Sequence, residues 1–563
     1  HVRFRSGKPE NMRGYETKVS TAFDGSARDL ITYQSGNNKK RAVFGTPDKL
    51  YAHNGDLITD ITPIVTAVTL ANVFGTSSGS TRVCCSDAGH GRSAGDYVYF
   101  TSTATFNAVS LSTNVYPVIS VESANVFTIS VTDAANATAS DVGSATFNYL
   151  LPTGISIATG GLGYGAAAFQ ATVCASQTRA WNEAASADAS DIAFDITQWS
   201  LDNWGDDVVA NRNGGNIYYF DSDASTVPIR ATSITTSPIS VNSIVVSPND
   251  RHLIALGANS YAAATTVSGP FDPMLVRWSD QDNRTNWVPS LSTTSGEVVL
   301  TDGTKIIGGL RSRSAIHIWT DNAMWTMQYV GPPFTFRFTP AGTNCGMIAP
   351  HAAVDYNGVS YWMGYDNFYK YDGQVRVLDC TVRRFIFDRL ATKYKAKVYT
   401  GVNSEFKEII WLYASDESNV TECDSYVIFS PENNYWTYGT GVFTTFADKE
   451  VFGNTITTGV SINASGDSTG NNKLFNNEPA DYYTENNRTI TSFVESADFD
   501  IDDGNKILFM NRLIPDFDLN TGKLRVKIIT KKYPESSEEI TKEFDITQQT
   551  DKINFRARGR QAK

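Results

Sequence analysis

The chain is 563 residues long, 41% apolar and 12% aromatic, which is ample for sizeable cores, and only 19% charged. That composition excludes a disordered acidic chain and a coiled coil. No apolar run approaches the roughly 18 residues of a membrane-spanning helix. The net charge of −12 argues against a basic nucleic-acid groove over the whole protein.

In chain order, the first fourteen residues are basic and include Arg3 and Arg5. Residues 1–62 read as the first strands of a main body. Residues 63–155 change texture: they are rich in Ser, Thr, Ala and Val and nearly free of Lys and Arg. Within them, Tyr116–Val121 and Asn125–Val131 read as paired strands. The segment is expected to be a small all-β domain inserted into the body. Residues 156–190 are Gly/Ala/Ser-rich and lead the chain back, with room for a short helix. Gly161, Gly163 and Ala166 meet the loose dinucleotide pattern, but no βαβ unit surrounds them, so a flexible connection is expected.

From Trp181 to Ser225 the chain is strongly acidic, with nine Asp/Glu against one Arg. Asp202, Asp206 and Asp207 stand here beside Trp199 and Trp204. Residues 156–450 read as the main body, and between 200 and 440 short β-branched and aromatic runs alternate with Gly, Asn, Asp and Pro. Strand–turn–strand units recur about every 45–55 residues, the spacing of one four-stranded blade. Asp372-Gly373 between apolar runs is a hairpin signal, because a tight type I′ turn needs φ > 0 at both central residues. The reading is an all-β, β-propeller-like body, whose radial closure leaves only short sheet edges. The tail, 451–563, opens on an Asn/Thr/Ser/Gly stretch to Asn472. Strands follow, among them Lys523–Ile529, whose alternation marks a half-buried antiparallel strand. A C-terminal β-sandwich-like domain is expected there, ending in a basic stretch with Arg556, Arg558 and Arg560.

No catalytic constellation emerges. The six His are singletons, without H-x-x-x-H or H-E-x-x-H spacing, so a zinc enzyme has no support. No C-x-x-C occurs, and the Cys are expected as buried reduced thiols. Asp498, Asp500 and Asp502 resemble an EF-hand start, but Phe509 stands where a bidentate Glu is required. An acidic turn is expected. Asp282 and Trp287 have the spacing of an Asp-box, a hairpin staple of sialidase propellers. Acids beside Trp199 and Trp204 leave a two-carboxylate glycosidase open by residue type. No cofactor is implied.

An ordered series of segments does carry a resemblance. It runs through Val2–Glu10, Phe44–Thr46, Lys49–Tyr51, Asp60–Pro63, Trp199–Asp207, Gly214–Asp221 and Asp272–Asp280. It continues through Ile318–Asp321, Met327–Phe334, Gly342–Gly346, Ile514–Asp516 and Phe555–Gln561. Together these are similar to a family of short-tailed bacteriophage (podovirus) virion proteins, most closely the tail nozzle or tail tubular proteins. The resemblance covers most of the chain outside 63–155. It implies a propeller-based body in a homo-hexameric ring below the tail adaptor protein, near fibre or spike proteins. Such a ring forms the distal tail channel and passes double-stranded DNA without specific binding. The expected location is the virion tail, after synthesis in the host cytoplasm.

Two site expectations follow. Asp202, Asp206 and Asp207 are acidic channel or interface residues, since phosphate binding needs Lys or Arg. Arg3, Arg5, Arg556, Arg558 and Arg560 are basic interface residues that meet an acidic neighbour. The alternative is a receptor- or polysaccharide-binding tail protein with 63–155 as its tip, and after it a carbohydrate-active enzyme.

Overall fold

The computed structural model describes residues 2–152 and 196–563, apart from residues 6, 56, 102–103, 113, 224–229, 263–267, 314, 418–419, 463–467, 480–483, 486–487, 491, 517–522, 534–535 and 538. The 156–190 connection and its expected helix, and the acidic residues before 196, lie outside the described residues. The chain divides into two compact units. One comprises residues 3–6 and 12–490, the other residues 2, 7–11 and 491–563.

The first unit is a β-propeller. Six antiparallel four-stranded sheets follow one another along the chain, each a meander of consecutive strands. The first is Asp29–Gln34, Lys40–Gly45, Leu50–Asn54 and Leu57–Asp60. The other five start at Trp199–Trp204, Val241–Val246, Ile306–Arg311, Ala353–Tyr356 and Tyr399–Asn403. A seventh sheet starts at Phe443–Ala447 and continues through Thr455–Ile462 and Ser468–Asn477. The leading strands pack side by side in order, and that of the seventh sheet packs against Asp29–Gln34, so the ring closes with seven blades.

Closure uses the far end of the chain. Tyr15–Thr17 pairs antiparallel with Ser468–Asn477, with Tyr15 opposite Asn477 and Thr17 opposite Phe475. Tyr15 is buried, edge-on to Phe443 at 4.9 Å and to Phe475 at 5.1 Å. This corrects the expected boundary at 450. The Asn/Thr-rich stretch after 451 is two strands of the last blade, and the body runs to residue 490. Polar residues suit those strands because Thr457 and Thr458 are buried and the Thr458 hydroxyl bonds that of Thr444 at 3.0 Å. No apolar periodicity advertises them.

Turn chemistry explains the blades. Asn357 and Gly358 both have positive φ and join Ala353–Tyr356 to Val359–Met363 as a tight hairpin. At the expected Asp372-Gly373 turn, Gly373 has φ +105. Aromatics fill the gaps between sheets: Trp199, Trp287, Trp319, Trp362 and Trp411 are fully buried. Gly45 makes room for one of them, since a Cβ there would sit 2.3 Å from the Trp199 ring.

Between the first and second blades the chain builds a closed six-stranded barrel from Ile64–Thr76 to Ala139–Leu150. Its core is phenylalanine: Phe74 stacks on Phe106 at 4.6 Å, with Phe100, Phe127 and Phe147 buried around them. Its two ends meet where the Leu151 N–H donates to the Pro63 carbonyl at 2.8 Å. Lys49 lies over the Tyr97 ring and Arg230 over Tyr99, tying the barrel to the propeller.

The second unit holds a four-stranded sheet and a two-stranded ribbon. The sheet runs Phe499–Asp500, Gln561–Ala562, Leu524–Lys531 and Glu539–Ile546, and the ribbon pairs Leu508–Leu513 with Ile553–Gly559. Phe544 of the sheet meets Phe555 of the ribbon at 5.1 Å.

Candidate functional site: the propeller axis and its charged residues

The leading strand of each blade faces the axis, and polar side chains on these strands bridge blades across it. Asp29 begins the first leading strand. Its carboxylate accepts from the Leu201 N–H at 2.7 Å, the Leu30 N–H at 2.8 Å and the Tyr399 hydroxyl at 3.3 Å. Three blades therefore meet on one buried acid. Burial pushes its pKa up, against the opposing pull of His351. The His351 Nε2–H donates to the Trp199 carbonyl at 2.6 Å.

Asp202 lies on the leading strand of the second blade, Trp199–Trp204. It accepts from the Val246 N–H and the Asn203 N–H, both at 2.7 Å, and faces Arg311 at 3.6 Å. It joins the second blade to the third and the fourth, and burial raises its pKa. Asp206 is exposed in the following turn and accepts from the Gly36 N–H of the first blade at 2.8 Å. Asp207 stays within its blade, accepting from the Ser222 N–H at 2.9 Å and from the Tyr219 hydroxyl. The three acids thus have three separate sets of partners. Trp199 and Trp204 beside them are buried, and the Trp199 indole N–H donates to the Thr46 carbonyl at 2.8 Å. They are packing residues, so the acid-and-Trp pattern makes no sugar platform.

The basic residues also divide. Arg3 is buried: its guanidinium donates to Glu408 at 3.1 Å and to Glu478 at 2.7 Å, and lies 3.4 Å over the Phe406 ring. Its use is internal, as a lock on the N-terminal segment. Two carboxylates share this cation, and burial lifts the Glu408 pKa to about 7 despite Arg3. Arg5 is exposed on Val2–Arg5. Arg556 and Arg558 are exposed on Ile553–Gly559, while Arg560 donates to the Gly504 and Asn505 carbonyls at 3.0 and 2.7 Å.

Sequence reasoning missed two clusters that only the fold brings together. Arg28 makes a two-pronged pair with Glu422 at 2.7 Å, and Lys397 adds a third bond at 2.8 Å. Burial alone would raise the Glu422 pKa, but these cations hold it low. In the second cluster, His252 bonds Asp250 through Nδ1 and the Thr294 hydroxyl through Nε2, the latter at 3.0 Å. The order acid–imidazole–hydroxyl is that of a hydrolase triad. However, the Thr294 hydroxyl donates to Asp280 at 2.7 Å, and His252 is completely buried. The array is a staple: Asp280, not Asp282, anchors the Asp-box-like loop, and the Trp287 indole donates to the Arg284 carbonyl at 2.8 Å.

Among the described residues no group of three His, Cys, Asp or Glu is placed to hold a metal. In the EF-hand-like stretch, Asp498 pairs with Lys531 at 3.2 Å, and Asp502 and Asp503 have positive φ, as in a tight turn. Cys85, Cys345 and Cys423 are buried free thiols; Cys84 is disulfide-bonded, which corrects the all-thiol expectation.

No protein-family model and no curated protein matches the chain. Among solved structures, it is similar to the phage phi92 endosialidase at 12% identity, over 97% of this chain and 87% of that one, with a TM-score of 0.21. The Synechocystis apocarotenoid oxygenase matches at 8% identity over 74% and 94%, with a TM-score of 0.29. Hsv2 of Kluyveromyces lactis matches at 8% over 45% and 66%, with a TM-score of 0.26. The propeller assignment rests on the strand pairing above, not on these likenesses.

Proposed function

We propose that this chain is a structural protein of a short bacteriophage tail, at the nozzle position, where copies form a ring around the path of the ejected DNA. The observation that carries the reading is where the family-like segments fall. Phe44–Thr46 receives the Trp199 indole. Trp199–Asp207 supplies Asp202, which joins three blades. Asp272–Asp280 supplies Arg277, buried and donating to the Trp287 carbonyl at 2.9 Å. Gly346 packs so tightly on Asp321 that a Cβ would lie 2.1 Å from its carbonyl oxygen. Residues spent on joining blades (Trp199, Asp202) and bracing single blades (Arg277, Gly346) support a shared body plan with that family, and a stiff cross-linked ring of sheets suits a tube wall.

The role is non-enzymatic in this reading. Asp202 and Asp207 are committed to the fold, so an acidic channel surface would draw on Asp206 and other exposed acids. Gold-tagged antibody against this protein, imaged on purified virions, tests the position. Gold at the distal end of a short tail is expected; gold on fibres or capsid overturns it.

One observation favours receptor binding as an additional role. The inserted barrel has its own aromatic core, and its ends lie one hydrogen bond apart, so it can be excised cleanly. Deleting residues 64–150 should then leave assembly intact and abolish adsorption. Unchanged adsorption removes this reading.

A further inference from the structure

The C-terminal unit cannot satisfy its own apolar surface. Its core is small: Ile546 and Ala562 are fully buried, with Ile528 and Ala557 nearly so. Against that, Phe493 is 77% exposed and Ile514 70%, and Ile507, Phe509, Ile540 and Phe499 are also exposed. A unit of this size with so little core is marginal alone. Exposed apolar patches of this extent mark interfaces.

Two of the unit's strand edges left open among the described residues make a complementary pair. Glu539–Ile546 pairs only with Leu524–Lys531, and Leu508–Leu513 only with Ile553–Gly559, among the described residues. Their charges are opposite. The first carries Glu539, Glu543 and Asp545 against Lys542; Glu539 and Asp545 are paired within the unit, and Glu543 has no ion-pair partner among the described residues. The second edge carries Arg512, and its ribbon partner Ile553–Gly559 carries Arg556 and Arg558, neither of which is ion-paired among the described residues. Phe509, Asn511, Arg512, Asn554, Phe555 and Arg556 line a shallow groove on it. The strands are of similar length, eight and six residues.

We infer that the C-terminal unit is a self-association module. The acidic free edge Glu539–Ile546 of one copy pairs with the free edge Leu508–Leu513 of the next and sets its carboxylates against the basic ribbon. Strand addition satisfies the open backbone groups, the exposed Ile540 and Phe509 are covered, and the charges fix the register. The two surfaces are different, so the contact is head-to-tail and propagates into a ring or filament. The inference deepens the ring reading above and rests on it for closure, but does not depend on where the ring sits in a virion.

Sedimentation velocity of the full chain at micromolar concentration tests it. The wild type should associate. The pair Arg556→Glu and Arg558→Glu should weaken association at least about 30-fold, as should Glu539→Arg with Glu543→Arg. Mixing the two charge-reversed proteins should restore association, which a misfolded unit cannot do. Phe509→Asn, a milder change, should weaken it without altering charge. A monomeric wild type, an assembly indifferent to both reversals, or a mixture that stays apart would each overturn the inference. A chain that associates this way but labels away from the tail tip defeats the nozzle reading alone. A monomer at the tail tip defeats this one alone.

Discussion

The propeller and the C-terminal unit are built from the same antiparallel strands and solve opposite problems. In the propeller, Trp199, Trp319, Trp362 and Trp411 are sealed between blades, and charged groups such as Asp29 and Arg3 are buried with partners in hand. The C-terminal unit has no Trp, and it leaves Phe493, Phe509 and Ile540 exposed. Ring closure leaves the blades packed side by side with only outermost strands unpaired on one side, whereas the sheet and ribbon of the C-terminal unit are not closed on themselves among the described residues. The first region is closed within one chain, and the second leaves large apolar side chains and strand edges exposed.

The largest expected effect separates the two. Deleting residues 1–17 removes the strand that pairs with Ser468–Asn477. The propeller should lose its cooperative melt and become open to protease. Deleting 491–563 should leave that melt nearly unchanged and abolish self-association; a large fall in melting temperature would erase the distinction drawn here.

Next comes the N-terminal lock. Arg3→Ala strands Glu408 and Glu478 in the interior and should cost about 3–5 kcal/mol by chemical denaturation. An effect below about 1 kcal/mol would mean that water reaches the pair. Asp202→Ala should cost less, about 1–3 kcal/mol, for the unpaired Val246 N–H and loss of the Arg311 contact.

The pH response of the lock is smaller. The Glu408 carboxyl is raised from 4.5 to about 7, so between those values the folded state holds more protons than the unfolded chain. Its contribution to stability is full below about pH 4.5 and is lost as pH rises through about 7. His317 acts in the opposite sense. Burial lowers it from 6.5 to about 4, so its contribution is full above about 6.5 and is lost as pH falls toward 4. Glu408→Gln should flatten the decline of melting temperature between pH 5 and 8, leaving the His317 fall at lower pH. A variant with an unaltered profile would show that Glu408 does not titrate there. The smallest effect belongs to Arg556→Gln, which should leave the body's melting within about 0.5 kcal/mol of wild type while weakening association.

The all-β class and the propeller plan were legible because hairpins announce themselves locally. Asn357-Gly358 and the aromatic runs of each blade sit within a few residues of one another. The polar strands of the seventh blade were not legible, since buried Thr458 is held by hydrogen bonds to Thr444 and Thr445 rather than by an apolar pattern. The partners of Asp202 were also hidden. Val246 and Arg311 lie far along the chain, and only the ring brings them to the axis. Arg3 read as a surface cation because nothing in its neighbourhood shows Glu408 and Glu478, more than 400 residues away.

The pairing of Tyr15–Thr17 with Ser468–Asn477 has a consequence for biosynthesis. A nascent chain emerges blade by blade, yet Tyr15–Thr17 has no mate until nearly the whole propeller has left the ribosome. Messages cut short before that point yield open rings, with the Tyr15 slot beside Phe443 and Phe475 empty. Only translation past Asn477 closes the circle, so ring closure itself reports that every blade has been made.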